Sequence, residues 1–569
     1  MPLFSSVLGC PVVECMLITY PTTSIRPNCS QWRVLLSEGL LFTAADSSKQ
    51  VMNLDSGSTR PIWTETAELP QPPALARDLS ADVCVVGAGI AGLTTAYLLA
   101  REGAKVVVLD DGPLCGGETG RTTAHLANEI DDLYQEIEPL HGRQGARLAA
   151  ESHTEAINRI ERIVGDEAID CDFTRLDGYL FAPSAEDAAY INKELEAARR
   201  AGLSPEPLER APLPFATGPC LRFPQQGQFH VLKYLRGVIA AIQREHGQLF
   251  AFTKAVEFSD GPPARVRTEG GYTVTARGLV ITTNSPVNNR FVPHTKQMAY
   301  RSYVIGARIP LGSMKPALFW DTLDPYHYIR VQRLHAGEGG VNQERDILIV
   351  GGEDHKTGQD DHPEKHFRAL EEWTRERFTG VESVDFRWSG QVMEPDDYLA
   401  FIGRNPGEDN VYIATGDSGM GMTHGTIAGI LLTDLIQGRE NPWAKLYDPA
   451  RKTLGALGEW TRENLNVGAQ YMDWVTRRDV NSPEKITPGE GAIIREAGIP
   501  VACHRDHDGA LRRYSAVCPH LGCIVSWNAV EKSWDCPCHG SRFAADGHVL
   551  NGPAVSGLKA LDEQKEKAA

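Results

Sequence analysis

Two groups of residues have the types and spacing to do chemistry. Near the C-terminus, "CPHLGC" and "CPCHGS" place Cys518 and His520 as C-x-H and, after fifteen residues, Cys536 and His539 as C-x-x-H. Two cysteines and two histidines can hold zinc, but a zinc finger pairs like with like, whereas each short loop here offers one of each. That arrangement suits a two-iron cluster with both thiolates on one iron and both imidazoles on the other. Two ferric ions, two sulfides, two thiolates and neutral imidazoles sum to zero charge. Such a centre accepts an electron more readily than an all-thiolate one, at roughly −150 to +300 mV, and its imidazoles can take up protons on reduction.

The second group lies in "DVCVVGAGIAGLTTAYLLAREGAKVVVLD", residues 82 to 110. Gly87 permits a tight turn, Gly89 lets backbone approach a pyrophosphate, and Gly92 lets a helix pack on a strand, with Ala88, Ile90 and Ala91 between them. Asp110 ends the second apolar run, placed to bond a ribose hydroxyl. To position these residues the chain must run strand, turn, helix, strand, with the helix N-terminus facing the phosphates. Two more glycine-rich turns follow, "GGETGRTTAHL" at 116 to 126 and "VYIATGDSGMGMTHGTIAGILLTDLI" at 411 to 436.

From about 53 to 450 the chain resembles the FAD-dependent oxidoreductase family that includes D-amino-acid oxidase, sarcosine oxidase and glycine oxidase. The resemblance rests on "GAGIAG" with Asp110, "GETGRTTAHL", "GLVITTNSPV" at 278 to 287 and "ATGDSGMGMTHG". It implies bound FAD, with Arg121, Thr122, Thr123, Ala124 and His125 along the flavin, joined by Gly416, Gly419, Gly421, Met422 and Thr423, and with Val256 near the adenine. Asp110 stands where Glu is more usual in that family, and the shorter acid should still reach. In such enzymes inserted strands roof the substrate. Here "MAYRSYVIGA" at 298 to 307 and "DPYHYIRVQ" at 324 to 332 supply Arg301, Tyr326, Tyr328 and Arg330 as substrate-pocket candidates. Either arginine could pair a carboxylate, or equally form an ordinary ion pair on a strand face. The flavin carries the hydride chemistry, so no catalytic side chain is assigned.

The C-terminal loops resemble the bc-type Rieske [2Fe-2S] proteins. That resemblance implies Cys518, His520, Cys536 and His539 as ligands, a disulfide between Cys523 and Cys538 tying the two loops, and "NGPAV" at 551 to 555 as a proline loop over the cluster. It also implies hydrogen bonds from a Ser and a Tyr. Ser541 is present but Phe543 stands in the tyrosine position, so a potential below that of respiratory Rieske proteins is expected.

At 569 residues the chain exceeds one hydrophobic core, and two or three domains are expected. The reading is an α/β FAD-binding Rossmann-type domain with an inserted mixed-sheet substrate domain over 53–470, then a small all-β Rieske domain. Nucleotide-binding segments fall near 80–128, 225–290 and 396–450, and substrate segments near 150–224 and 291–395. A linker spans 471–482 and the Rieske domain 483–569. Residues 1–52 read as a disordered extension or a mistaken start. Helical patterns cover 129–165 and 185–202, and 295–395 is strand-rich. A net charge of −17 argues against nucleic acid, and no stretch supplies the ~18 apolar residues of a membrane span. A cytoplasmic location is expected, where a disulfide is uncommon. His355, His362 and His366 lack the spacing of a ligand motif and read as a solvated surface. Cys503, His504 and His507 read as an exposed hairpin; Cys84, Cys115, Cys171 and Cys220 read as free thiols.

A flavin takes two electrons at once and a Rieske cluster carries one. The fusion thus implies oxidation of the C–N bond of a small amine or amino acid, with electrons leaving singly through the cluster to an external protein or quinone-like acceptor. The alternatives are a reductase feeding a partner oxygenase, and a non-catalytic redox module.

Overall fold

The computed structural model describes residues 56–288 and 294–561. The segment read as an extension, 1–52, lies outside them. Strands Val83–Val86 and Val106–Leu109 are apolar and buried on both faces, as a central parallel sheet requires. They sit in a six-stranded sheet ordered Phe401–Arg404, Val411–Thr415, Gly278–Ile281, Val83–Val86, Val106–Leu109, Gln248–Phe250, parallel except at the first strand. Helices Ile90–Arg101 and Gly421–Ile436 cross on one face, where Gly425 and Gly429 leave room for Ile90 and Thr94. A four-stranded sheet covers the other face, with Val266 and Val274 against Val86, Leu109 and Ile281.

A larger mixed sheet forms the second layer. Its order is Ser383–Pro395, Gln297–Ile309, Arg345–Lys356, His327–Leu334, Leu318–Asp321, Thr174–Phe181, Cys220–Gln228, His125–Leu126. The helical patterns appear as Tyr134–Asp166, broken at Gly142, and Ala188–Arg200. The strand-rich stretch also holds a helix, Glu364–Arg377, which packs Phe367 and Leu370 on the sheet. Strand Cys220–Gln228 belongs wholly to this sheet, so the return to the nucleotide fold comes with helix Val231–Arg244.

The C-terminal part is all β. A three-stranded sheet, Glu490–Glu496, Ile499–Arg505, Leu511–Ser515, meets a four-stranded one, Ser526–Asn528, Ser533–Asp535, Arg542–Ala544, Val549–Asn551. Ile493, Trp534 and Phe543 share a core with Cys518 and Cys536. Cys503 is fully buried on its strand and His504 nearly so, a correction to the exposed hairpin expected there. Residues 471–482 are folded rather than extended. Asp473–Thr476 is helical, the Tyr471 hydroxyl donates to the Leu521 carbonyl at 2.6 Å, and the Trp474 indole donates to Gly522 at 2.9 Å. Among the described residues no helix is long and apolar enough to cross a membrane.

Candidate functional site

One long cavity begins at the glycine turn. Gly87 has φ +102°, and a Cβ there would fall 2.5 Å from the Thr282 carbonyl. A Cβ on Gly92 would fall 1.9 Å from the Gly87 carbonyl, so helix Ile90–Arg101 can approach its strand only without one. Gly87, Gly89, Ile90 and Ala91 line the cavity. Ala88 does not; its amide donates to Asp110 Oδ2 at 2.6 Å, and Gly112 donates to Oδ1 at 3.1 Å, which fixes the acid at the cavity's edge. Lys254 and Ala255 line the wall, and Val256, expected there, follows them without lining it. Further along come Gly416, Gly419, Gly421 and Met422, whereas Thr423 points aside and hydrogen-bonds His153 at 2.8 Å. The N-termini of both crossing helices thus open on the same space.

Thr122, Thr123 and His125 line the cavity and Ala124 does not. Burial and the nearby Arg330 push the His125 pKa down to about 3, so it is neutral. Arg121 also lines the wall. Its guanidinium donates to Ser389 O at 2.6 Å and Glu531 Oε1 at 3.1 Å, toward the C-terminal domain.

Tyr326 and Tyr328 line the far end, under the large sheet, with Ser302 and Trp320. Tyr328 shares a 2.6 Å hydrogen bond with Ser302, and Tyr326 donates to Asp131 Oδ2 at 3.2 Å. Neither arginine proposed for this pocket lines it. Arg330 is fully buried and holds the carbonyls of Thr123 and Ala124 at 3.1 and 2.9 Å. Arg301 points to the opposite face of its strand, donating to Ser389 Oγ at 3.0 Å among Arg542, Asp535 and Glu531. The lining residues that sequence reasoning missed include the acids Glu118, Glu129, Asp131 and Asp417. Glu118 and Asp417 stood inside recognised motifs; Glu129 and Asp131 did not.

The C-terminal domain completes the cavity. Val549–Asn551, Gly552, Ala554 and Val555 form part of its wall, so the proline loop faces this space as well as the cysteine loops. Asn551 donates to Glu118 Oε1 at 3.1 Å, and Glu118 Oε2 accepts the Gln391 amide at 2.7 Å.

The cysteine loops lie just beyond. Cys523 and Cys538 are joined in a disulfide. The Cys518 and Cys536 thiols lie beside each other, and Ser541 stands beside Cys518. The His520 and His539 rings meet edge to face with centroids 5.0 Å apart. The two loops thus pair thiol with thiol and imidazole with imidazole, a donor set that fits a two-iron cluster. The glycine cradle and the two helix N-termini likewise fit an extended dinucleotide. Gln391, which lines the cavity, donates through Nε2 to the Gly540 carbonyl at 3.0 Å, next to His539. A Cβ on Gly540 would fall 2.2 Å from that of Ala299, and one on Gly358 would fall 2.8 Å from the Pro537 nitrogen. Backbone meets backbone across this contact.

His355, Asp360 and His366 come together, each with one ligand-type atom within 4.8 Å of the others, while His362 gives Asp360 only its amide. All three have protein partners. His366 meets Asp360 at 2.9 Å and His355 meets the Tyr303 hydroxyl at 3.0 Å.

A family model described as FAD dependent oxidoreductase matches residues 82–435, and one described as Rieske [2Fe-2S] domain matches 477–562. The Bacillus subtilis (strain 168) protein YhfW, named for a Rieske 2Fe-2S iron-sulfur centre, is 32% identical over 88% of this chain and 97% of its own length. Gamma-glutamylputrescine oxidoreductase of Escherichia coli (strain K12) is 26% identical over 64% of this chain and 85% of its own. The crystal structure of glycine oxidase from Geobacillus kaustophilus shares the fold, with a TM-score of 0.54 at 17% identity over 66% of this chain and 99% of that one.

Proposed function

Because this chain belongs to the FAD-dependent oxidoreductase family and carries a Rieske [2Fe-2S] domain, we propose that it oxidises the C–N bond of a small amine or amino acid and passes the electrons singly through the cluster to an external acceptor. The observation that carries the reading is Gln391, one side chain that touches both the cavity wall and the carbonyl beside His539. The name of the Escherichia coli relative, an oxidoreductase of an amine derivative, supports the substrate class.

Bound FAD supplies a two-electron acceptor and the cluster a one-electron carrier. The chain's own residues supply placement. Gly87, Gly89 and Asp110 would hold the dinucleotide, and Glu118 ties the Gln391 strand to Asn551 so that both cofactor sites share one scaffold. The two histidines are unequal. His539 is 5% exposed and faces the oxidoreductase, while His520 is half-buried on the outer loop. Around that outer loop Met472, Trp474 and Val475 leave apolar surface exposed, a place for an acceptor to dock. His539 would hold the cluster on the side of the oxidoreductase domain and His520 on its outer side.

The test is to mix the FAD- and cluster-loaded protein anaerobically with a panel of amines and amino acids. Flavin bleaching followed by the reduced-cluster electron paramagnetic resonance signal is expected. Bleaching by NADH alone would make the chain a reductase, and a bleached flavin beside a cluster that stays oxidised would remove the internal route.

A further inference from the structure

The far end of the cavity is acidic and, among the described residues, has no free cation. Glu129, 1% exposed, lines it beside the Trp320 indole, and its Oε1 has no hydrogen-bond partner among the described residues. Asp131 and Asp417 open on the same space. Asp131 Oδ2 lies against Gly419, where a Cβ would fall 1.9 Å from it, so only glycine at 419 leaves this carboxylate room. Asp354 stands just behind Ser302 and Tyr328, with an Oδ1 that also lacks a partner among the described residues.

Four basic residues line the cavity, and none faces this end as a cation. Arg121 is committed to Glu531, Ser389 and Thr59. Lys254 adjoins Asp111 and Glu269 at the other end. Burial keeps His125 and His424 neutral, with pKa values pushed down to about 3 and about 4. An α-amino acid brings a carboxylate on the reacting carbon, and such a group needs a cation or several donors when taken out of water. Here it would meet the carboxyl groups of Glu129 and Asp131 instead, neither of which supplies a cation.

We infer that the pocket selects a cationic amine bearing no carboxylate on its reacting carbon, with Glu129 as its principal counter-ion and Asp131 as a second. Burial, with Glu194 and Asp131 nearby, pushes the Glu129 pKa up, a cost that an incoming ammonium relieves. The inference rests on the oxidation reading only for the chemical step after binding, and binding alone tests it.

The FAD- and cluster-loaded protein is titrated anaerobically with butylamine, 1,4-diaminobutane and 2-aminopentanoic acid, the last being butylamine with a carboxylate on the reacting carbon. Calorimetry reads binding and flavin absorbance reads oxidation. Both amines should bind at least about tenfold more tightly than the amino acid, a modest factor for a site that leaves a charged group unpaired. Glu129→Gln should weaken the amines about tenfold while the flavin and cluster spectra stay unchanged; Asp131→Asn should act in the same direction if the first variant does not fold. Equal or tighter binding of the amino acid, no binding by any probe, or amine affinity indifferent to both substitutions would overturn the inference. Amine binding without flavin bleaching would uphold it and count against the oxidation reading, whereas bleaching by the amino acid alone would do the reverse.

Discussion

The Glu531 carboxylate is 1% exposed and lies within hydrogen-bond reach of Arg121 at 3.1 Å and the Thr59 amide at 3.1 Å. Burial alone would raise its pKa, but Arg121, Arg301 and Arg542 outweigh burial and hold it at about 2, against an ordinary 4.5. A carboxylate with a depressed folded-state pKa stabilises the fold above its unfolded pKa and loses that contribution as pH falls toward the folded value. Glu531→Gln should therefore cost on the order of 3 kcal/mol at neutral pH, the gap from the parent closing as pH drops from about 4.5 to about 2. Denaturant titrations at pH 7 and pH 3 measure it; an equal loss at both would discard the charge argument. A second residue argument concerns Phe543, fully buried in the core that holds both ligand cysteines and offering them no hydroxyl. Phe543→Tyr should raise the cluster potential by about 65 mV, because a hydrogen bond to a charged group of ~1.5 kcal/mol favours the more negative reduced form of this one-electron couple. Voltammetry reads the shift. A potential that stayed level or fell would show that the missing hydroxyl does not set it.

Among the elements, the strand pair Gln297–Ile309 and Ser383–Pro395 does two jobs at once. Side chains alternate across a strand, so Ser302 and Val304 face the cavity while Arg301 and Tyr303 face the other way. Gln391 is where the two jobs join. Gln391→Leu keeps its bulk but removes the bond to Gly540, and the net loss of about 1 kcal/mol should slow cluster reduction about fivefold. Flavin bleaching by substrate should be unaffected, and stopped-flow absorbance separates the two phases. Sequence periodicity could not have assigned these faces. The nucleotide fold was legible because "DVCVVGAGIAG" states both strand burial and turn in its own residues, and the cysteine loops because their ligand spacing is local. Arg301 misled because both faces of its sheet are covered, so an arginine there could equally serve substrate or domain contact; Arg330 misled because its guanidinium caps the carbonyl of Ala124, 206 residues away in the chain. Glu129 and Asp131 carried no motif at all. Helix Glu364–Arg377 was hidden within a stretch otherwise rich in strands.

At the scale of the whole molecule, the C-terminal domain is a wall of the dinucleotide cavity rather than a separate carrier on a tether. Asn551 is the seam: its amide donates to Glu118 while its Oδ1 accepts from Arg542 at 3.0 Å, and Gly552 lies against Val287 and Ser285. If a bound dinucleotide leaves past this wall, the wall must lift first, and a ligand that binds only the closed arrangement stabilises that arrangement in turn. The flavin and the docked domain should hence strengthen each other. Asn551→Ala removes contacts on both sides of the seam without touching a cluster ligand or the glycine turn. If each hydrogen bond contributes about 0.5–1.5 kcal/mol net, losing them should speed flavin release roughly tenfold. The rate is read as flavin fluorescence recovers on dilution, with the cluster's paramagnetic signal as a check that its loops are intact. A release rate equal to the parent's, with the cluster present in both, would mean that the flavin leaves by a path the Rieske domain does not guard.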